Sequence, residues 1–118
     1  MRRPILRRYY AFIKQLGAQI KQDASVYDID LRECLAIDFT LPVVTPYTCE
    51  IVVTTDTGFL VKTKIDAEMV YNKSDKELWT KEFANFVANR LNEERPKYTH
   101  VLSLVPPLER NKMNRIVL

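Results

Sequence analysis

The chain reads as a single α+β domain in the order α-β-β-β-α-β, an antiparallel sheet with its helices packed on one face. Three observations predict this. Apolar residues recur at helical spacing over residues 4–22 and again after Ser74. Between these stretches, three segments alternate apolar and polar residues with the period of a half-buried strand. The length of 118 residues and the 47% apolar fraction suit one core that needs neither disulfides nor metals.

In the first stretch Ile5, Tyr9, Phe12, Ile13, Leu16 and Ile20 fall on one arc, with Leu6 beside them. Pro4 suits the first helical turn, where a missing N–H is no loss. A linker opens at Asp23. Residues 31–41 predict a strand with Leu31, Leu35, Ile37, Phe39 and Leu41 on one face and Arg32, Asp38 and Thr40 on the other. Pro42 and Pro46 bracket a turn, because neither can sit inside a ladder. Residues 47–55 predict a second strand, with Tyr47, Cys49, Ile51 and Val53 inward. Asp56, Thr57 and Gly58 predict a hairpin turn.

Residues 59–71 predict a third strand, with Val61, Ile65, Ala67, Met69 and Tyr71 facing the core. Ser74 and Glu77 have capping-box spacing, so the second helix is expected to open at Ser74. Trp79, Phe83, Phe86, Val87 and Leu91 form its stripe, and Pro96 is expected to stop it. Residues 98–105 are almost continuously apolar and predict a last strand buried on both faces. Pro106 and Pro107 end it, and residues 108–118 form a tail. The domain thus spans 1–118: a basic helix over 1–22, the sheet and second helix over 31–105, then the tail.

Several function classes fall away on composition. Gly17 and Gly58 are the only glycines, so no Walker-type or dinucleotide-fingerprint loop is present. Cys34, Cys49 and His100 lack the number and spacing of a zinc site. Strand alternation puts Cys34 outward and Cys49 inward, against a disulfide. No apolar run reaches membrane-spanning length. The expectation is a cytoplasmic or nuclear protein with reduced thiols, no cofactor and no small-molecule substrate.

Charge is segregated. Residues 1–22 hold Arg2, Arg3, Arg7, Arg8, Lys14 and Lys21 and no acid; the other twelve of the eighteen bases share the remaining chain with all fifteen acids. At 100° per residue, Arg3, Arg7, Lys14 and Lys21 fall on one flank together with Tyr10. Basic residues at a helix N-terminus oppose the macrodipole, so an anionic partner is the expected reason for them. A bare solvated face is the plainer reading. Tyr10 is the aromatic expected to be free for stacking. Arg90 lies within the aromatic stripe of the second helix, where it either snorkels from the core edge or meets a partner.

A second constellation is a charged row. If the turns pair Leu41 with Tyr47 and Thr55 with Phe59, then Asp38, Glu50 and Lys64 line one outward face. That is the minimal set of a metal-dependent nuclease, but without the acid-x-Lys spacing such enzymes use. An exposed Glu50–Lys64 pair is the plainer reading. The tail ends on Ile116, Val117 and Leu118; Ile116 and Leu118 are candidate interface residues, for a partner or a second copy, with docking on the chain's own sheet as the alternative.

The function expected is therefore a non-catalytic protein–protein interaction module (an adaptor, inhibitor or assembly subunit) rather than an enzyme. Nucleic-acid binding through the basic helix is the alternative.

Overall fold

The structure, a computed structural model, describes residues 3–29, 35–55, 60–98 and 114–117. The first apolar arc forms helix α1 (Arg3–Ser25). Tyr9, Phe12, Ile13, Leu16 and Ile20 on it are fully buried. Each such side chain contributes about 1.5–3 kcal/mol of apolar transfer. The helix closes with Asp28 at φ 59°, the left-handed conformation of a C-terminal cap. The Ile29 N–H donates back to the Ala24 carbonyl at 3.3 Å, and both side chains are buried, so the chain turns tightly under the sheet-facing side of the helix.

Strands β1 (Leu35–Phe39), β2 (Thr48–Thr55), β3 (Leu60–Asp66) and β4 (Asn114–Val117) form one antiparallel sheet in the order β3-β2-β1-β4. Leu35, Ile37 and Phe39 join Cys49, Ile51 and Val53, with Val61 and Ile65, on the face covered by α1 and by α2 (Lys73–Tyr98). The α+β class, the α-β-β-β-α-β order and the helices packed against an antiparallel sheet are all as the periodicity predicts.

The details depart from expectation in five places, each for a local reason. The 40–47 connection is longer than the turn assumed. Thr40 holds Glu50 twice, its N–H donating to the Glu50 carbonyl at 3.0 Å and its Oγ1 accepting from the Glu50 N–H at 2.9 Å. Asp38 consequently faces Val52, not Glu50. Second, β3 stops at Asp66 rather than continuing to residue 71. The Asp66 carboxylate accepts from the Glu68 N–H at 3.0 Å and caps a 3-10 helix, Ala67–Tyr71. The period changes from two to three, so Ala67 and Val70 are buried while Tyr71, expected inward, is exposed.

Third, Asn72 rather than Ser74 caps α2: its Oδ1 accepts from the Asp75 N–H at 3.0 Å, and its carbonyl takes the first helical bond from Lys76. Fourth, α2 runs through Pro96 to Tyr98. In the last turn proline forfeits one backbone bond, which the preceding turns of helix outweigh. Fifth, the final strand lies in the tail. Of the strand expected over 98–105, Tyr98 ends α2 and the rest lies outside the described residues, as do the hairpin turn at 56–58, Cys34 and His100.

The tail strand is anchored by one polar contact. Arg115 lies opposite Asp38, and its Nε and Nη2 donate to the two carboxylate oxygens at 2.8 and 3.0 Å. Asp38 is 1% exposed and the Arg115 side chain 30%. The bond to Asp38 pushes the Arg115 pKa up, outweighing the opposing effect of burial. The fork-to-carboxylate geometry satisfies an acid on the sheet face away from the helices.

Two stability changes follow. Phe83, 9% exposed and stacked on Trp79 at 4.8 Å between ring centroids, belongs to the core. Phe83→Ala is expected to cost about 3 kcal/mol in a denaturant melt. Arg115→Ala leaves Asp38 buried without its counter-charge and is expected to cost about 3 kcal/mol. The paired change of Asp38→Leu with Arg115→Met should recover most of that loss in the same melt.

Candidate functional site

Helix α1 has two unlike flanks, and its neighbours define them. On one side Phe12 meets Trp79 of α2 at 5.4 Å between centroids, and the Arg8 guanidinium lies 5.2 Å from the centre of the Tyr71 ring. Residues Gln15 and Gln19 continue this side. Together with Lys76, Thr80 and Lys81 they wall a groove of about 240 Å³ floored by Phe12. Thr80 is committed there to the Lys76 carbonyl at 2.7 Å, and Gln19 to Asp23 at 3.0 Å.

On the opposite flank Tyr10 packs edge-on against Phe39 of β1 at 5.6 Å. Since β4 is the next strand outward from β1, this flank looks toward the β4 edge of the sheet. Arg7 and Lys14, one heptad apart, stand exposed further round the helix, on the side away from the sheet, and Lys21 is half-buried two turns on from Lys14. The helix opens at Arg3. Among the described residues neither Arg7 nor Lys14 takes part in an ion pair. The first turn of α1 contains no acid. The helix dipole is therefore opposed rather than balanced at that end.

The predicted residues are thus only partly gathered. Arg7, Tyr10 and Lys14 are all exposed on α1, and Tyr10 keeps its exposure while touching Phe39 in an edge-type contact. Arg8 was not singled out from the sequence, yet its ring contact with Tyr71 is the closest cation–aromatic pair described. Only knowing that residue 71 leaves the strand would have exposed that contact. Arg90 is exposed and lies 3.7 Å from Glu93, one turn on. It therefore emerges from the core edge toward solvent. Ile116 is half-buried against the core, and Leu118 lies outside the described residues.

The charged row does not assemble as expected. Glu50 does face Lys64, but Asp38 is two positions away from Glu50 and is tied to Arg115. Among the described residues no three His, Cys, Asp or Glu side chains come together. Nor is any described helix long and apolar enough to cross a membrane.

Among the described residues one buried polar group has no hydrogen-bond partner. The Tyr9 hydroxyl lies in the core beside the Cys49 thiol without a hydrogen bond of good geometry. Burial chiefly, with Cys49 adding to it, holds the Tyr9 phenol well above its ordinary value. Burial likewise pushes the Cys49 thiol up, keeping it neutral and unreactive.

No protein-family model, curated protein or solved structure matches the chain.

Tyr9→Phe is expected to be at least as stable as the native chain at neutral pH, since an unsatisfied buried hydroxyl costs about 1–3 kcal/mol. The two proteins should diverge in alkali. Above about pH 10 the unfolded chain releases the Tyr9 proton while the folded chain retains it, so stability falls as pH rises. Denaturant melts from neutral to about pH 10.5 should show a shallower alkaline loss for Tyr9→Phe.

Proposed function

We propose that the domain is a non-catalytic interaction module, an adaptor, inhibitor or assembly subunit, that meets an anionic surface of another protein through the Arg7–Lys14 flank of α1. The observation that carries this reading is an exposed pair of bases, outside any described ion pair, on a helix whose first turn contains no acid. A charge outside the domain accounts for two exposed bases that no described acid neutralises. The cytoplasm or nucleus is the compartment that suits the free Cys49 thiol.

The test is affinity capture from native lysate with the native chain and with the double variant Arg7→Glu, Lys14→Glu, each with and without nuclease treatment. Both positions are exposed on the helix surface, so the variant should fold. Capture that resists nuclease and is lost in the variant is the expected result. Capture abolished by nuclease turns the reading to nucleic acid, and a random-sequence duplex should then bind with log affinity falling linearly against log salt. Equal capture by both proteins removes α1 from the function.

A further inference from the structure

The two edges of the sheet are protected differently. Edge strands in stable proteins are guarded by lysine, proline or bulges, because their outer N–H and C=O groups invite another strand. The β3 edge follows that rule with Lys62 and Lys64, both exposed. The β4 edge does not. Its residues are Asn114, Arg115, Ile116 and Val117, and the guanidinium of Arg115 is turned to Asp38 on the strand inside it. Asn114 is exposed, Val117 is 64% exposed, and among the described residues no strand lies beyond β4.

Alternation fixes what each face of β4 offers. Arg115 and Val117 lie on the face away from the helices, where Arg115 meets Asp38. Ile116 lies on the helix side, half-buried against the core. A strand that pairs with this edge does best with an apolar residue opposite Ile116 and no cation opposite Arg115. A second copy of the chain brings such a strand, and its own edge is equally open.

Symmetry then selects the register. Across a two-fold axis perpendicular to the sheet, antiparallel strands keep their faces matched, so a β4–β4 pair is centred on a residue. Centred on Asn114 or Val117, the two strands overlap by a single residue. Centred on Arg115, one guanidinium faces another and Ile116 faces Asn114. Centred on Ile116, the isoleucines of the two copies meet on the helix side. On the opposite face each exposed Val117 covers the aliphatic stem of the second copy's Arg115.

We propose that β4 is a self-pairing edge: two copies of the chain join β4 to β4, antiparallel, about a two-fold axis at Ile116. The result is one continuous sheet with all the helices on the same side. An overlap of three residues per strand buries far less than the about 1,200–2,000 Å² of a standard interface, so the association is weak and depends on concentration. This pairing uses none of the α1 cations, so it stands or falls separately from the anionic-partner reading.

Sedimentation velocity of the native chain between about 10 μM and about 1 mM should show the mass rising from one chain toward two. Val117→Lys sets an ammonium opposite the second copy's Arg115 and should hold the mass at one chain over the same range. Circular dichroism confirms that the variant folds. Oxidative cross-linking reads the register, measured above the level that the native Cys34 and Cys49 give. Ile116→Cys brings two thiols opposite each other across the axis, with Cα atoms about 4.5–5.5 Å apart, and should yield a linked dimer. Val117→Cys leaves them on a diagonal about 7–8 Å apart, beyond disulfide reach, and should not.

A native chain that keeps one-chain mass at about 1 mM overturns self-pairing. So does a Val117→Lys chain that associates as the native chain does. Linkage through Val117→Cys in place of Ile116→Cys, or through neither, overturns the two-fold at Ile116.

Discussion

The fold depends on the apolar arc of α1 being removed from water on two sides at once. Tyr9 closes on Phe39 of the sheet, and three residues later Phe12 closes on Trp79 of α2. Ile13, Leu16 and Ile20 continue the same buried surface along the helix. The sheet's inner face and the second helix thus share one desolvated surface, and α2 continues it outward through Phe83 to Phe86. With so much of the azimuth committed to core, the charges of α1 have one broad region left. They collect on the outside because the arc excludes them from elsewhere.

Much of this architecture is legible in the sequence because its strongest signals are long. A nineteen-residue arc from Pro4 to Gln22 and the Trp79–Leu91 stripe each contain several turns of consistent spacing, so single mismatches do not hide them. The existence of β1, β2 and β3 was equally readable from alternation, whereas β4, only four residues long, reads as tail. Boundaries failed where a side chain competes with the ladder. The Asp66 carboxylate pulls the chain into a 3-10 helix before the alternation of Met69 and Tyr71 has ended, and that pattern continues by chance into a period-three element. Asn72 offered the same capping chemistry as Ser74, two residues earlier.

Register was harder still. A two-residue error in one hairpin was enough to place Asp38 beside Glu50 on paper, whereas its counter-charge in space is Arg115, which pairs with it across β1 and β4. No local pattern links positions so distant in the chain. The candidate site was half readable for a similar reason. The flank of Arg7 and Lys14 follows from helical spacing alone. The fate of Tyr10 depends on Phe39, a tertiary neighbour invisible to helical periodicity.

The Asp38–Arg115 contact also imposes an order in time. Its partners are 77 residues apart, so on a ribosome Asp38 emerges long before the arginine that neutralises it. During that interval β1 can pair with β2 on one side while its other side stays open, with an uncompensated carboxylate at the middle of the open edge. A charge placed there discourages a stray strand from docking, as inward-pointing charges do on finished edges. When β4 arrives with Arg115, the same carboxylate changes from a deterrent into an address: it accepts the one strand that brings a matching guanidinium.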